Sequence, residues 1–369
     1  MGRKRVIYQS EALYVGQTGA APVQVSRVQS ANYSFEITRT DINEFGTLAA
    51  IDRIILEQPT VSLDYSYYPE TGLNENNIGF NVDSTSAIKD ILANTNTHTP
   101  KSYFILTADE GQDASNYETS QADDTAGVIG IGNVFLTSWN AEASVGEFVT
   151  SSVNGEGLNI HFDAQTNGNC KNPTVDPETG NLKTTANIDL PDGSTTTTSL
   201  PVALRPGDIL FNNDAEAGTT SVSNFDTLAV GYNFEELKVQ SFTIAMELGR
   251  EDLQKLGSRF AFSKEIEFPA SANMDISANV GDTQTTSEAL EYILNTTDEE
   301  KDLGVVCKSH THASIEGMGY LLKGAKLDSE SISSSVGDMK SVDLSWSSQI
   351  GGPNDDAHGF KIRKVAAGE

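Results

Sequence analysis

The chain has 369 residues, 37% of them hydrophobic and 21% charged, which fits a folded protein of two or three domains and excludes a disordered one. Lys and Arg number 24 against 52 Asp and Glu, a formal charge of −28. Such a surface repels nucleic acid, because duplex binding needs basic groups that displace counterions from phosphates.

The first residues, Met1-Gly2-Arg3-Lys4-Arg5, are basic, but Gln9, Ser10 and Glu11 interrupt any apolar segment. No secretory signal is expected, and no apolar run reaches the length of a membrane helix. A strand is predicted at Phe35-Glu36-Ile37-Thr38-Arg39, followed by a segment that ends at Phe45-Gly46. The alternation of Val61, Leu63, Tyr65 and Tyr67 predicts a second strand with one buried and one wet face. Thr85 to Leu92 carries a hydroxyl residue at its start and apolar residues three to four apart, which predicts a short helix. Tyr103-Phe104-Ile105-Leu106 reads as a buried strand, and an acidic loop runs from Asp109 to Asp124.

Gly127 to Gly132 is glycine-rich, but the strand Val134-Phe135-Leu136 follows it where a dinucleotide site would need a helix, so strand packing explains it better. Leu158 to Phe162 alternates as another strand. Residues 163–224 are rich in Thr, Asn, Gly and Asp and read as an insertion. Within it, Asn187–Leu190 and Ser194–Thr197 flank Asp192-Gly193 as a predicted hairpin. Cys170 falls in a polar loop, where it is a candidate for cross-linking subunits; Cys307 ends an apolar run and is expected to be a buried thiol.

Two parts of the chain match in the same order. Phe35 to Gly46 corresponds to Met246 to Gly257, and Val61–Asp64 to Ala272–Asp275. Thr85–Leu92 corresponds to Thr286–Leu294, Tyr103–Leu106 to Gly304–Cys307, Gly130–Leu136 to Gly317–Leu322, and Leu158–Phe162 to Val342–Trp346. One fold used twice is the reading, with copies at 1–162 and 225–369 separated by the insertion. Each copy is expected to be mainly β, a small sandwich or barrel with one short helix.

The candidates for chemistry are weak. His310-Thr311-His312 lacks the further ligands that zinc needs. The acid pairs Asp123-Asp124, Asp355-Asp356 and Asp298-Glu299-Glu300 lie in polar turns without the flanking aromatics of a sugar cleft. Tyr65, Tyr67 and Tyr68 do stand near Glu70, but on a predicted strand, where packing explains them. No catalytic, cofactor-binding or metal-binding residue is expected, and no enzyme.

The run from Gln29 to Gly72 resembles the N-terminal part of bacteriophage tail-tube proteins: a strand of the form F-x-I-x-R, a segment D-x-N-x-F-G, then P-x-V-x-L-D-x-S-Y-Y. The second copy keeps Arg250, Asp252, Gly257 and Asp275 but loses the aromatics that follow. The resemblance implies two tandem tube domains whose sheets join around a ring. Six domains per ring would make this chain a homotrimer with pseudo-sixfold symmetry, stacked into a tube in the virion after assembly in the host cytoplasm. It also implies a tape-measure protein in the bore, a sheath if the tail is contractile, no membrane, and DNA that passes through without specific binding. Three chains carry 3 × −28 = −84 formal charges per ring, a sign that favours sliding. Lys361, Arg363 and Lys364, with Arg3, Lys4 and Arg5, are candidates for pairing with the acidic surfaces of adjacent rings. The alternatives are a β-rich surface adhesin or carbohydrate-binding module, and a hydrolase with a cleft in 163–224.

Overall fold

The computed structural model describes residues 11–17, 21–56, 58–92, 100–108, 110, 114, 126–165, 169–183, 186–190, 204, 209–211, 237–258, 260–280, 300–307, 317–333, 339–355 and 357–365. The predicted helix at 286–294, the His310–His312 pair, Asp123-Asp124, the second hairpin arm at 194–197 and the N-terminal basic residues lie outside them.

The chain first forms β1 (Glu11–Gly16), β2 (Val23–Gln24), β3 (Val28–Glu36), the hairpin β4 (Arg39–Ile42) and β5 (Asp52–Ile55), and β6 (Thr60–Tyr67). Two short helices follow, α1 (Leu73–Ile78) and α2 (Lys89–Leu92), then β7 (Lys101–Thr107), β8 (Ala126–Ser144), β9 (Thr150–Gly157) and β10 (Asn159–Gln165). The strands β11 (Asn169–Lys171) and β12 (Asn187–Asp189) pair with each other. A second pass gives β13 (Ile209–Phe211), β14 (Leu237–Glu247), the hairpin β15 (Arg250–Leu253) and β16 (Ser263–Ile266), and β17 (Ser271–Val280). It ends with β18 (Lys301–Cys307), β19 (Gly317–Ser333), β20 (Ser341–Gln349) and β21 (Gly359–Val365).

The pairing diagram of the first pass recurs in the second. The antiparallel pair β1–β7 returns as β13–β18, β3–β6 as β14–β17, β4–β5 as β15–β16, and β6–β9 as β17–β20. Likewise β7–β8 returns as β18–β19, β8–β9 as β19–β20, and β8–β10 as β19–β21. The irregularities repeat too: register shifts at Val28/Ser30, Lys101/Tyr103 and Leu136/Ser138 match those at Val239/Ser241, Lys301/Leu303 and Leu327/Ser329. Bulges re-aim strands and persist as built features, so their coincidence argues for common descent of the two passes.

The pairings fix the internal register. Val28–Tyr67 matches Val239–Ala278 residue for residue, as the sequence comparison had it. Later segments differ from that comparison. Tyr103 is equivalent to Leu303 and not Gly304, Ile131 to Leu322, and Leu158–Phe162 belongs with Gly359–Phe360 onward and not with β20, the equivalent of β9. A one-residue slip moves a side chain to the opposite face, and the core decides the case: Tyr103 and Leu303 point into the same cluster of buried residues.

The architecture is a two-layer sandwich. One layer is a continuous sheet in the order β3-β6-β9-β8-β14-β17-β20-β19. The long strands β8 and β19 turn at their bulges and contribute their N-terminal halves to the other layer, with β7, β1 and β10 around β8 and with β18, β13 and β21 around β19. A single core fills the space between. Leu63, Tyr67, Trp139, Met274 and Trp346 from the continuous sheet meet Leu13, Ile105, Val305, Tyr320 and Phe360 from the other layer. Trp139 stacks obliquely on Phe80, Tyr320 and Phe360 at centroid separations of 5.3–5.6 Å, so the two passes share their largest buried aromatics. Residues after α1 also bind β21: the peptide N–H groups of Asp83 and Ala87 donate to the carbonyls of Ile362 and Phe360.

The helical prediction at 85–92 is corrected. Only Lys89–Leu92 is helical, while Ala87 and Ile88 are buried from a turn. A helix without an apolar stripe, α1, forms instead between Gly72 and Gly79, which have φ values of 80° and 125° that suit glycine. Of the predicted hairpin around Asp192-Gly193, the turn and the second arm lie outside the described residues; the first arm, Asn187–Asp189, pairs with Asn169–Lys171. That pair covers the outer face of the first sheet, where Cys170, Ile188 and Leu190 pack against Tyr14, Phe104 and Val128. Cys170 is therefore buried, its Sγ directed at the Ile188 carbonyl 3.6 Å away. Burial, helped by Asp163 and Asp189, pushes its thiol up to about 12, and the thiol is not available to link subunits.

Candidate functional site

The outer face of the continuous sheet carries a regular polar pattern. Between the bulges, the outward positions of β3 and β6 are Ser30, Asn32, Ser34, Glu36, Thr60, Ser62, Asp64 and Ser66. On β9 and β8 they are Thr150, Ser152, Asn154, Glu156, Ser138, Asn140, Glu142 and Ser144. The second pass continues with Ser241, Thr243, Ala245 and Glu247 on β14, Ser271, Asn273, Asp275 and Ser277 on β17, Asp343, Ser345 and Ser347 on β20, and Ser329, Ser331 and Ser333 on β19. None of these is Lys, Arg or His. Lys238 and Lys326 stand at opposite margins, past the bulges of β14 and β19. Short side chains hydrogen-bond across the strands: Ser30 with Ser66, Ser34 with Ser62, Asn32 to Asp64, Asn154 to Ser138, and Ser345 to Asp275. The result is a flat hydroxyl and amide surface studded with carboxylates. Shallow hollows bring Asp275 near Asp343 and Asp64 near Glu156, and the ammonium nearest the face, that of Lys264 beside Glu156, is buried.

The two passes meet in this sheet through β8 and β14, with Ser241↔Ser144 to Glu247↔Ser138 in register. That joint uses the free side of β14 and the C-terminal half of β8. The equivalent strands are β3 and the C-terminal half of β19, and among the described residues each is paired on one side only, β3 with β6 and β19 with β20. The exposure of equivalent side chains records the difference. Ile244, Met246 and Leu248 are 0%, 1% and 1% exposed, whereas their counterparts Tyr33, Phe35 and Ile37 are 37%, 57% and 36% exposed. Ile332, the counterpart of the buried Ala141, is 46% exposed.

The second hairpin shows how such a joint is secured. Arg250 donates from Nε to the Leu136 carbonyl at 2.9 Å and from an Nη to the Lys264 carbonyl at 3.2 Å, and it lies over the Phe135 ring. Burial lowers this guanidinium to about 10, opposed by the charge of Glu265. Lys264, itself buried, reaches Glu156 at 2.9 Å and Asp252 at 3.1 Å. The first hairpin is exposed along both strands, and its tip presents Phe45 and Leu48 fully to solvent.

At the centre of the shared core sits a carboxylate that sequence reading passed over. Glu75 on α1 is wholly buried and accepts a 2.8 Å hydrogen bond from the Tyr67 hydroxyl, with Trp139 Nε1 behind that hydroxyl at 3.4 Å. Burial raises its pKa to about 6, opposed by its own peptide N–H and by Tyr67. Tyr320 is close enough for the Glu75 charge to raise its phenol further.

The residues considered for chemistry are dispersed. Tyr65 and Tyr67 are core residues, Tyr68 packs on Phe148, and Glu70 is paired with Arg27 at 3.0 Å. Asp355 and Glu300 both face His358. The glycines of β8 serve packing: a Cβ at Gly132 would meet the Pro173 carbonyl oxygen at 2.3 Å. Lys361, proposed as a terminal charge for ring contacts, is buried in β21, and the peptide N–H of Lys364 is bound by Asp83. No group of three or more potential metal ligands exists among the described residues, and no described helix is long and apolar enough to cross a membrane.

No protein-family profile matches the chain, and no curated protein is similar to it in sequence. Among solved structures it is similar to a chain of the virion of a native gene transfer agent particle, at 15% identity and a TM-score of 0.24, covering 43% of this chain and 97% of that one. It is also similar to a chain of the tail of an empty gene transfer agent particle with C6 symmetry, at 14% identity and a TM-score of 0.24, covering 40% of this chain and 94% of that one.

Proposed function

We propose that this protein is the structural subunit of a phage-type tail tube, three copies closing into a ring whose continuous sheets line the bore through which DNA leaves the particle. The observation that carries this reading is the outward sheet face. Seven carboxylates (Glu36, Asp64, Glu142, Glu156, Glu247, Asp275 and Asp343) stand among hydroxyls and amides, without a basic residue between the bulges.

Such a face does what a conduit for a polyanion requires. The outward charges between the bulges are all carboxylates, and the ammonium beside them, Lys264 at Glu156, is buried, so no exposed local trap forms. Screening over about 8 Å at physiological salt confines the repulsion to a layer beside the wall, where it prevents adhesion without opposing passage along the axis. Serine and asparagine keep the wall hydrated and present no flat apolar surface on which bases would stack. The role is architectural, with self-assembly as its chemistry. The Gln29–Gly72 resemblance to tail-tube proteins supports the same reading, and it makes a tape-measure protein the bore's occupant before ejection.

Negative-stain imaging of the purified protein tests it. Stacked rings or tubes with an open bore are expected, six lobes around each ring from three chains. Particles that stay monomeric at high concentration would refute the reading, and so would a measurable affinity for duplex DNA at physiological salt.

A further inference from the structure

We infer that chains join to one another by pairing the free side of β3 with the free C-terminal half of β19 of the next copy, in the register that β14 and β8 use within one chain. This rests on the tube reading and names the residues at its seam.

The register follows from two sets of structural equivalences between the passes. Residues 28–67 correspond to 239–278 through identical pairing and an identical bulge. The C-terminal half of β8 corresponds to that of β19, because Ser138↔Asn154 through Glu142↔Thr150 repeat as Ser329↔Ser345 through Ser333↔Ser341. The internal joint pairs Thr243↔Glu142, Ile244↔Ala141, Ala245↔Asn140, Met246↔Trp139 and Glu247↔Ser138. Substituting equivalents places Asn32 opposite Ser333, Tyr33 opposite Ile332, Ser34 opposite Ser331, Phe35 opposite Glu330 and Glu36 opposite Ser329.

Two independent features agree with this alignment. Tyr33 and Ile332, exposed apolar residues on the two edges, fall directly opposite each other on the core side, while the more exposed Phe35 faces Glu330; cross-strand apolar pairs of the first kind stabilise sheets. On the other side, Asn32, Ser34 and Glu36 meet Ser333, Ser331 and Ser329, so the polar face runs across the seam without a basic residue. Unpaired strand edges on a protein with exposed apolar residues are an association surface unless covered. An edge-to-edge joint between two different edges is heterologous, so it propagates around a ring. The seam is more polar than the internal joint, since Glu330 stands where Trp139 is buried. The first hairpin also lacks the internal clamp, because Lys326 and Ser347 stand where Phe135 and Glu156 hold β15–β16. The strands therefore carry the contact.

The test is disulfide trapping. Both native thiols, Cys170 and Cys307, are buried, so introduced thiols report alone. A Y33C chain mixed with an I332C chain is expected to give a disulfide-linked dimer under mild oxidation, reversed by reductant. The double variant is expected to give covalent trimers. S34C mixed with I332C, whose side chains face opposite sides, is expected to give none. All three positions are exposed, and melting curves check that each variant folds. Rings seen by microscopy without the Tyr33–Ile332 cross-link would overturn the seam and leave the tube reading intact. Absence of rings together with absence of cross-links would overturn both.

Discussion

Glu75 offers a quantitative test of the shared core. Its carboxyl lies among Tyr67, Trp139 and Tyr320 with no solvent exposure, and its pKa is about 6 against an ordinary 4.5. A folded-state pKa above the unfolded value means that the folded protein holds the proton more tightly. The stabilisation is fully present below about pH 4.5 and is lost as the pH rises through 6. Each pKa unit is worth 1.36 kcal/mol, so the loss reaches about 2 kcal/mol by pH 7.5. Other carboxylates of so acidic a chain also shift stability over this range, so the comparison is between wild type and Glu75→Gln. The amide keeps an acceptor for the Tyr67 hydroxyl but never ionises. Urea unfolding followed by tryptophan fluorescence should show the variant gaining on wild type by about 2 kcal/mol between pH 4.5 and pH 7.5, a relative midpoint shift on the order of 1 M for ordinary urea slopes. A wild-type-minus-variant difference that stays flat across this range would refute the argument that Glu75 is desolvated at the junction of the two passes.

Two further outcomes are expected. Gly132→Ala should destabilise the protein by roughly 1–3 kcal/mol, the usual cost of overpacking, because the new methyl would displace the Pro173–Thr174 segment; Gly352→Ala, with open space around it, should leave the melting temperature unchanged. Lys264→Met removes a buried ammonium from Glu156 and Asp252, which are about one-third exposed. It should speed amide hydrogen exchange in 250–266 at least tenfold at low salt while leaving β17 and β20 protected.

Sequence reading found the repeat where no insertion separates the copies. Phe35–Gly46 aligned correctly with Met246–Gly257 because the whole stretch from Val28 to Tyr67 has the same length in both. It slipped at β7 and β8, where loops of unequal length precede the strands and where Tyr103-Phe104-Ile105-Leu106 is apolar throughout. A strand buried on both faces has no alternation to fix its register. The helix α1 was illegible because Leu-Asn-Glu-Asn-Asn-Ile has no apolar stripe and its buried contacts are the polar Asn74 and Glu75. Cys170 was misplaced for a related reason: its neighbours are polar, and only the docking of β11–β12 on Tyr14 and Phe104 buries it. The basic-free face was implicit in the alternation of Ser62, Asp64 and Ser66. Seeing it as one surface required eight strands from both passes to be laid side by side.

The β8–β14 joint has a consequence for how oligomers nucleate. Half of the seams in a closed assembly form inside a single polypeptide, where the partner strand is always present and dilution has no effect. In the proposed ring only the β3–β19 seams would be bimolecular, and they would be the more polar ones. Tethering also enforces strict alternation, so any annulus built from this chain contains an even number of units, with the β11–β12 cover placed on every other one.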